Sequence, residues 1–347
     1  MRLAKALAFV ALTLVTLTLA GNVVKPGRSV FAGDGGAAWE DFSAEPNRTL
    51  DVVMFGNSHL FDSVDPIEMW RAEGIAAFTH GGPAQMLKVT RWWVRETFRT
   101  QRPRVVVIEM SSASYTDRNY DPEHQIVNVG YMPMSDNRIA AATLDTPSSE
   151  RTSALFDLWQ YHSRWTELTR ADFALATKGR DDWFMKGYLP KFESRPVSDT
   201  LVVRPASDPF ADGLVAYNIE ALEDIVSRCE RQGTQVLLLV TPTGPPNIYT
   251  YYLNNAAEQL AADHGNVRAL DLSEPGAVPG LSYERDFFDG GHVNHGGAVK
   301  VSRTLARYLA QTYELPDRRS EAGYGAWDEA VGLHDSYIAS ETAGSAR

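Results

Sequence analysis

The chain has 347 residues, of which 44% are hydrophobic and 22% are charged, which suits one large globular domain or a domain with an inserted subdomain. Its formal net charge of -11 argues against the phosphate backbone of a nucleic acid as a partner. The single cysteine, Cys229, excludes an internal disulfide framework and a cysteine-rich metal site.

The first 24 residues are predicted to be a signal peptide or a membrane anchor. Arg2 and Lys5 precede an uncharged run that extends to Val24 and approaches the ~20 residues needed to cross a bilayer. Both interpretations stay open, and we favour an uncleaved anchor because Thr18-Leu19-Ala20 is only a fair cleavage site. The basic residues should stay in the cytoplasm, so the rest of the chain is expected outside, anchored at the extracytoplasmic face of the membrane or secreted.

Residues 25–49 are rich in Gly, Ala and acidic residues and are predicted to be a linker, followed by an α/β domain over residues 50–315. Short apolar runs alternate there with longer segments of helical spacing. This alternation predicts a three-layer α/β/α fold with a central parallel sheet. Strands are predicted at 50–55, 75–79, 104–110, 235–240 and 267–271. A helix is predicted to start at Asp65-Pro66, and further helices are predicted at 84–100, 217–231, 251–264 and 295–314.

The alternation stops between about residues 111 and 212, where aromatic and charged residues mix. This segment is interpreted as an insertion of helices and loops after the third strand. It is expected to be either a lid or substrate platform, or a packed helical subdomain without ligand contacts. Residues 316–347 are polar and rich in Gly, Ser, Ala and Glu, and are predicted to be a disordered tail.

The first strand ends abruptly at Gly56-Asn57-Ser58. Ser58 therefore lies at the carboxyl end of a strand, where open α/β sheets place their ligand sites. A serine hydroxyl becomes a good nucleophile only when a neighbouring base takes its proton and a third group orients that base. Ser58 is the candidate nucleophile.

The motif Asp289-Gly290-Gly291-His292 supplies the other two groups. An aspartate three residues before a histidine can hold one ring nitrogen, which leaves the other nitrogen to face the serine. Two alternatives stay open: Asp289 caps a helix beside an ordinary loop histidine, or Asp289, His292 and His295 bind a metal. No further ligand motif accompanies them, so we rank the metal below the triad and expect no cofactor.

Donors for the oxyanion of an acyl-transfer reaction are expected at the same edge of the sheet. Gly81 and Gly82 follow the second strand, and glycine lets the backbone approach a ligand closely. Their alternative role is a plain tight turn. Ser111 and Ser112 follow the third strand and offer hydroxyl donors for the oxyanion or the substrate.

These residues resemble the motif blocks of the SGNH (GDSL-like) hydrolases over residues 50–110 and 235–314. Gly56-Asn57-Ser58 is similar to the nucleophile block, Asp289-Gly290-Gly291-His292 to the last block, and Gly81 or Gly82 to the glycine of the second block. The resemblance implies a flavodoxin-like fold. The third block, Gly-x-Asn-Asp, is absent, so the resemblance assigns no oxyanion asparagine.

The membrane segment and the insertion are similar to the envelope branch of this superfamily, which includes D-alanyl transfer proteins and O-acyltransferases. The resemblance implies a serine esterase or O-acyltransferase that acts on ester groups of a cell-envelope glycopolymer through an acyl-serine. The implied partners are a carbohydrate or polyol polymer and, by analogy, a membrane-bound acyl-donor protein. A catalytically inactive glycan-binding or scaffolding protein is the alternative, which the missing third block favours and the intact Ser58, Asp289 and His292 oppose.

Overall fold

The fold is built on a five-stranded, all-parallel sheet. The structure is a computed structural model that describes residues 2–26, 38–178, 183–197, 214–246 and 248–345. Within these residues the strand order is β2-β1-β3-β4-β5, which confirms the predicted three-layer α/β/α class. The strands are β1 (Val52–Gly56), β2 (Ala77–Gly81), β3 (Val105–Glu109), β4 (Gln235–Val240) and β5 (Val267–Asp271).

Helices cover both faces of the sheet and form the insertion between β3 and β4. They are α1 (Arg2–Val24), α2 (Ala38–Ala44), α3 (Ser58–Phe61), α4 (Pro66–Glu73), α5 (Leu87–Thr97), α6 (Pro122–Gly130), α7 (Asp136–Leu144), α8 (Arg151–Leu155), α9 (Asp157–Tyr161), α10 (Arg170–Lys178), α11 (Ala216–Gln232), α12 (Ile248–Asp263), α13 (His295–Tyr313) and α14 (Gly325–Ser345).

Successive side chains of β1 enter two different cores. Val53 and Phe55 join the hydrophobic cluster that includes residues of α5, α11 and α12, whereas Val52 and Met54 join the one that includes residues of α4 and α13. A strand covered on both faces has no polar side, which explains its continuous apolar run. Because β1 has β2 on one side and β3 on the other, the crossover direction changes there and opens a crevice at its carboxyl end.

The described part of the insertion is a packed helical subdomain. Helix α6 docks on the loop after β2, where Gln125 Nε2 donates to the Ala84 carbonyl (2.8 Å) and Asn128 Nδ2 donates to the Pro83 carbonyl (2.9 Å). Helix α7 packs beside α5. The predicted role as a lid or substrate platform stays a prediction, and residues 198–213 lie outside the described residues.

Residues 186–197, which we call the crossing segment, run from the edge of β2 across the carboxyl end of the sheet. Their backbone bonds in turn to β2, to α3 and to the loop before Asp289. These bonds join Thr79 N to Lys186 O, Leu189 N to Phe61 O and Arg195 N to Phe287 O, each over 2.9 Å. Lys186 is buried and its Nζ lies 2.6 Å from Glu45 Oε1, so an ion pair fixes the start of the segment.

Helix α1 is long and apolar enough to cross a membrane, with a mean hydropathy of 2.1 over its most apolar window. This agrees with the predicted signal peptide or anchor. Residues 2–19 are exposed, whereas the helix end is docked, with Gly21 and Val24 buried.

The linker predicted for residues 25–49 is wrong in part. Residues 38–44 form α2, whose Trp39 and Phe42 are buried in the core beside β2. The two aromatic residues lie three positions apart and so share one face of the helix. Residues 27–37 of the predicted linker lie outside the described residues.

The prediction of a disordered tail over residues 316–347 is also wrong. Residues 325–345 form α14, which buries Trp327, Ala330 and His334. Their spacing of three and four residues is that of one helix face. The Trp327 ring stacks on Trp70 of α4 with centroids 4.9 Å apart. The segment therefore has a narrow apolar face, although its overall composition is polar.

A buried ion pair fastens α14 to the body. His334 Nε2 lies 2.8 Å from Asp65 Oδ2, and the side chains are 2% and 0% exposed. Asp65 is also the N-cap of α4, since its Oδ1 accepts a bond from the Ile67 amide. Burial lowers the pKa of His334, but the hydrogen bond and charge of Asp65 outweigh it, so the net pKa is raised.

The pair of His334 and Asp65 predicts that the free energy of unfolding falls as pH rises. Protonated His334 stabilises the fold fully below the ordinary histidine pKa of ~6.5, and that contribution is lost as pH rises through the raised folded-state pKa. We expect urea unfolding of the detergent-solubilised chain to show this slope, and His334→Gln to flatten it. His162 is exposed, so the control variant His162→Gln should show the same dependence of unfolding free energy on pH as the wild type. Equal slopes for His334→Gln and wild type would contradict the assignment.

Candidate active site

The predicted nucleophile and base meet at the carboxyl end of β1. Ser58 is the first residue of α3, separated by one residue from the end of the strand, and its Oγ lies 2.8 Å from His292 Nε2. The turn needs Gly56, because a Cβ there would lie 2.8 Å from Glu109 Cβ and 2.9 Å from Leu60 Cβ. The strand therefore ends where only glycine fits, and the next turn presents the serine.

Asp289 completes the chain of contacts. His292 Nδ1 lies 2.9 Å from Asp289 Oδ1, so the carboxylate can hold the tautomer whose Nε2 accepts the serine proton. Asp289 Oδ1 also accepts bonds from the amides of Gly291 (2.7 Å) and His292 (2.9 Å). Burial opposes the charged carboxylate, but these bonds outweigh it and lower the pKa of Asp289. The Asp-x-x-His turn thus folds around its own carboxylate.

The His292 ring is partly exposed (24%) and stacks on a second imidazole. Its centroid lies 4.8 Å from that of His59, with the rings 9° apart. Burial lowers the pKa of His292, and positive charge on His59 lowers it further, against the raising effect of Asp289. A lowered pKa widens the pH range over which the imidazole is neutral, as a general base must be.

We expect this stack to set the acid limb of any reaction at Ser58. The rate should rise with pH through an apparent pKa below ~6.5. His59→Phe keeps an aromatic ring but removes its charge, so the midpoint should move upward. The rate of Ser58 labelling by a fluorophosphonate between pH 4 and 9 measures it. His124→Gln on the insertion is the matched control and should leave the midpoint in place. An unmoved midpoint in His59→Phe would contradict the proposed coupling.

Asn57, immediately before the nucleophile, is the centre of a buried polar network. Its Oδ1 accepts from the His59 amide (3.0 Å), which caps the first turn of α3. Its Nδ2 lies 3.2 Å from Ser112 Oγ and 3.1 Å from the Tyr115 hydroxyl. The amide therefore links the nucleophile turn to the loop after β3.

Glu109 joins this network through Ser111. Ser111 Oγ faces both Glu109 Oε2 and Asn57 Oδ1, yet a hydroxyl has one proton to donate. Burial raises the pKa of Glu109. The Ser111 hydroxyl thus links the Glu109 carboxyl group to the Asn57 amide.

The predicted oxyanion donors lie near the Asn57 network, and most of their hydrogen-bonding groups already bond to other groups of the protein. The Gly82 amide donates to the Gly56 carbonyl (3.1 Å), and Ser112 Oγ donates to the Gln85 carbonyl (2.6 Å). A Cβ on Gly82 would lie 2.2 Å from Asn128 Oδ1, so close packing against α6 explains this glycine. The oxyanion and substrate roles of Gly81, Gly82, Ser111 and Ser112 stay predictions.

A pocket of about 240 Å³ opens beside the triad. His59 and Gly291 form one side of it. Hydroxyl-bearing side chains and Glu109 form most of the remainder, among them Ser111, Ser114, Tyr115, Thr241 and Thr243. This lining can exchange hydrogen bonds with a hydroxyl-rich molecule.

Asp62 and Lys191 also belong to this neighbourhood and were not predicted from the sequence. Lys191, on the crossing segment, has its Nζ 3.7 Å from Asp62 Oδ2. Burial raises the pKa of Asp62 to about 7, and the charge of Asp289 raises it while Lys191 lowers it. The only signal was the spacing of Asp62 four residues after Ser58, which is one helical turn.

The alternative in which Asp289, His292 and His295 bind a metal finds no further ligand among the described residues. Within the residues that the structure describes, no three His, Cys, Asp or Glu side chains cluster so as to hold a metal ion. His295, the third member of the predicted spacing, has its Nδ1 3.0 Å from the Tyr188 hydroxyl. No protein-family model matches the chain, and no curated protein is significantly similar to it.

Proposed function

We propose that the chain is a serine esterase or O-acyltransferase of the SGNH type, anchored at the extracytoplasmic face of the membrane. The observation that carries the proposal is the unbroken contact from Ser58 Oγ through His292 to Asp289, with steps of 2.8 and 2.9 Å. Ser58 attacks an ester or thioester carbonyl while His292 takes its proton, and the alcohol or thiol leaves with that proton. The acyl group then passes from Ser58 to water or to an acceptor hydroxyl.

The proposed substrate is a carbohydrate or polyol polymer of the cell envelope that carries ester groups. The hydroxyl-lined pocket beside His59 supports this class, because sugars and polyols are bound through many neutral hydrogen bonds. The apolar helix α1 supports a membrane setting. A membrane-bound acyl-donor protein is the proposed partner of the transferase form.

The experiment traps the acyl-enzyme. The purified chain is mixed briefly with p-nitrophenyl acetate, quenched in acid and digested, and the peptide containing Ser58 is examined for a mass increase of one acetyl group. We expect the adduct on Ser58 and its loss in Ser58→Ala. Ser336→Ala, on the exposed face of α14, is the control and should keep the adduct on Ser58.

One observation favours the alternative, a catalytically inactive glycan-binding or scaffolding protein. The Gly82 amide is bonded to the Gly56 carbonyl, so it offers no free proton to an oxyanion. This alternative predicts that an envelope glycan binds equally to wild type and Ser58→Ala, with no adduct on Ser58 in either. That result would overturn the enzymatic proposal.

A further inference from the structure

Helix α1 is rigidly fastened where it meets the body. Lys25 Nζ donates to the Gly130 carbonyl (3.0 Å) and to Asp157 Oδ2 (3.2 Å). Arg164 Nη1 donates to the Val24 carbonyl (2.6 Å), the last residue of the helix. These partners belong to the insertion, so the insertion and the end of α1 form one unit.

The exposed part of α1 matches the thickness of a bilayer. Residues 2–19 project from the body with exposed side chains. At a rise of about 1.5 Å per residue they extend roughly 27 Å, close to the ~30 Å hydrocarbon core of a membrane. If α1 crosses a membrane, the bilayer surface therefore lies near residue 20, level with the insertion helices that pack around Gly21.

Those helices carry exposed aromatic side chains. Trp159 of α9 is 64% exposed, Trp165 in the following turn is 72% exposed, and Phe156 is 59% exposed. The other Trp side chains that the structure describes are buried, namely Trp39, Trp70, Trp92, Trp93 and Trp327. Tryptophan with one apolar body and one N–H is the side chain most enriched where a membrane meets water.

We propose that Phe156, Trp159 and Trp165 form a second membrane contact, seated in the headgroup region of the bilayer that α1 crosses. The aromatic residues directly follow residues that contact the anchor, because Leu158 and Arg164, which precede Trp159 and Trp165, touch the last turn of α1. The insertion thus acts as a membrane-seated collar that prevents the body from tilting about its anchor. The proposal depends on α1 being retained and is independent of the chemistry at Ser58.

The test measures the depth of a spin label. Trp159→Cys and Trp165→Cys are made separately in a Cys229→Ser background, since Cys229 is the chain's single cysteine. Each full-length chain is labelled and placed in nanodiscs of phosphatidylcholine and phosphatidylglycerol, and collision rates with oxygen and with a water-soluble nickel chelate are compared. Ile219→Cys, 42% exposed on α11, is the matched control. Circular dichroism melting selects variants that fold like the parent.

We expect labels at 159 and 165 to favour oxygen over nickel, as membrane-seated groups do, and the label at 219 to favour nickel. Labels at 159 and 165 that collide with nickel as often as the label at 219 would overturn the proposal. Dipolar broadening between labels at 159 on different chains, without an oxygen preference, would assign the surface to a second copy instead. A mature chain that begins after Ala20 in cell membranes would also overturn it.

Discussion

Ser58→Ala and His292→Ala should each lower kcat for hydrolysis of p-nitrophenyl acetate by roughly 10⁶-fold, the scale seen when a serine hydrolase loses its nucleophile or base. The reason is geometric: Ser58 Oγ and His292 Nε2 are 2.8 Å apart and work as a single unit. Without the imidazole, the hydroxyl keeps its proton and cannot form the acyl-enzyme. Stopped-flow and long-time steady-state assays cover the required range.

The double variant separates this proposal from a general loss of structure. Because Ser58 and His292 act as one unit, Ser58→Ala/His292→Ala should lose no more activity than either single variant. Multiplicative losses would contradict the triad. Ser43→Ala on α2 is the control and should leave kcat unchanged, since the Ser43 hydroxyl bonds to the Trp39 carbonyl one turn earlier in the same helix.

Asp289→Asn should lower kcat about 10⁴-fold, because an amide in place of the carboxylate favours the wrong tautomer of His292 and cannot stabilise its charged form. The amide oxygen can still accept bonds from the Gly291 and His292 amides, so the turn should keep its shape. The assay is hydrolysis of the same ester, with circular dichroism as a check on folding.

Asp62→Asn is the matched control for Asp289→Asn. Asp289 belongs to the proposed triad, whereas Asp62 lies near it and pairs with Lys191 rather than with His292. Its replacement should therefore cost far less activity than that of Asp289. Equal losses in the two variants would contradict the role of Asp289 in orienting His292, and would indicate that activity depends on the total negative charge near the site.

The parts of the fold and site that could be predicted from the sequence are those encoded locally. The strands were predictable because continuous apolar runs such as 105–109 suit only a doubly covered parallel strand. The pairing of Ser58 with Asp289 and His292 was predictable because each of the two motifs is a short local pattern: Ser58 follows a strand end, and Asp289 and His292 share one turn.

Other features depend on contacts between distant residues and left no local pattern. Glu109 and Ser111 are close in sequence, but Ser111 reaches Asn57 only because β1 pairs with β3. The crossing segment is irregular, with mixed aromatic and charged residues and no periodicity, so neither Lys191 nor its contact with Asp62 could be read. Helix α14 did carry a signal, a three- and four-residue spacing of buried side chains, within a composition typical of disorder.

The contact between His334 and Asp65 also constrains the order in which the molecule is completed. Asp65 lies seven residues after Ser58, yet its partner is residue 334. During synthesis, Trp70 and the carboxylate of Asp65 stay uncovered by α14 until residue 334 has emerged, whereas the sheet is complete in sequence at Asp271 and can already assemble. Helix α4 is therefore covered late, and a nascent chain passes through a long interval in which that surface needs protection from aggregation.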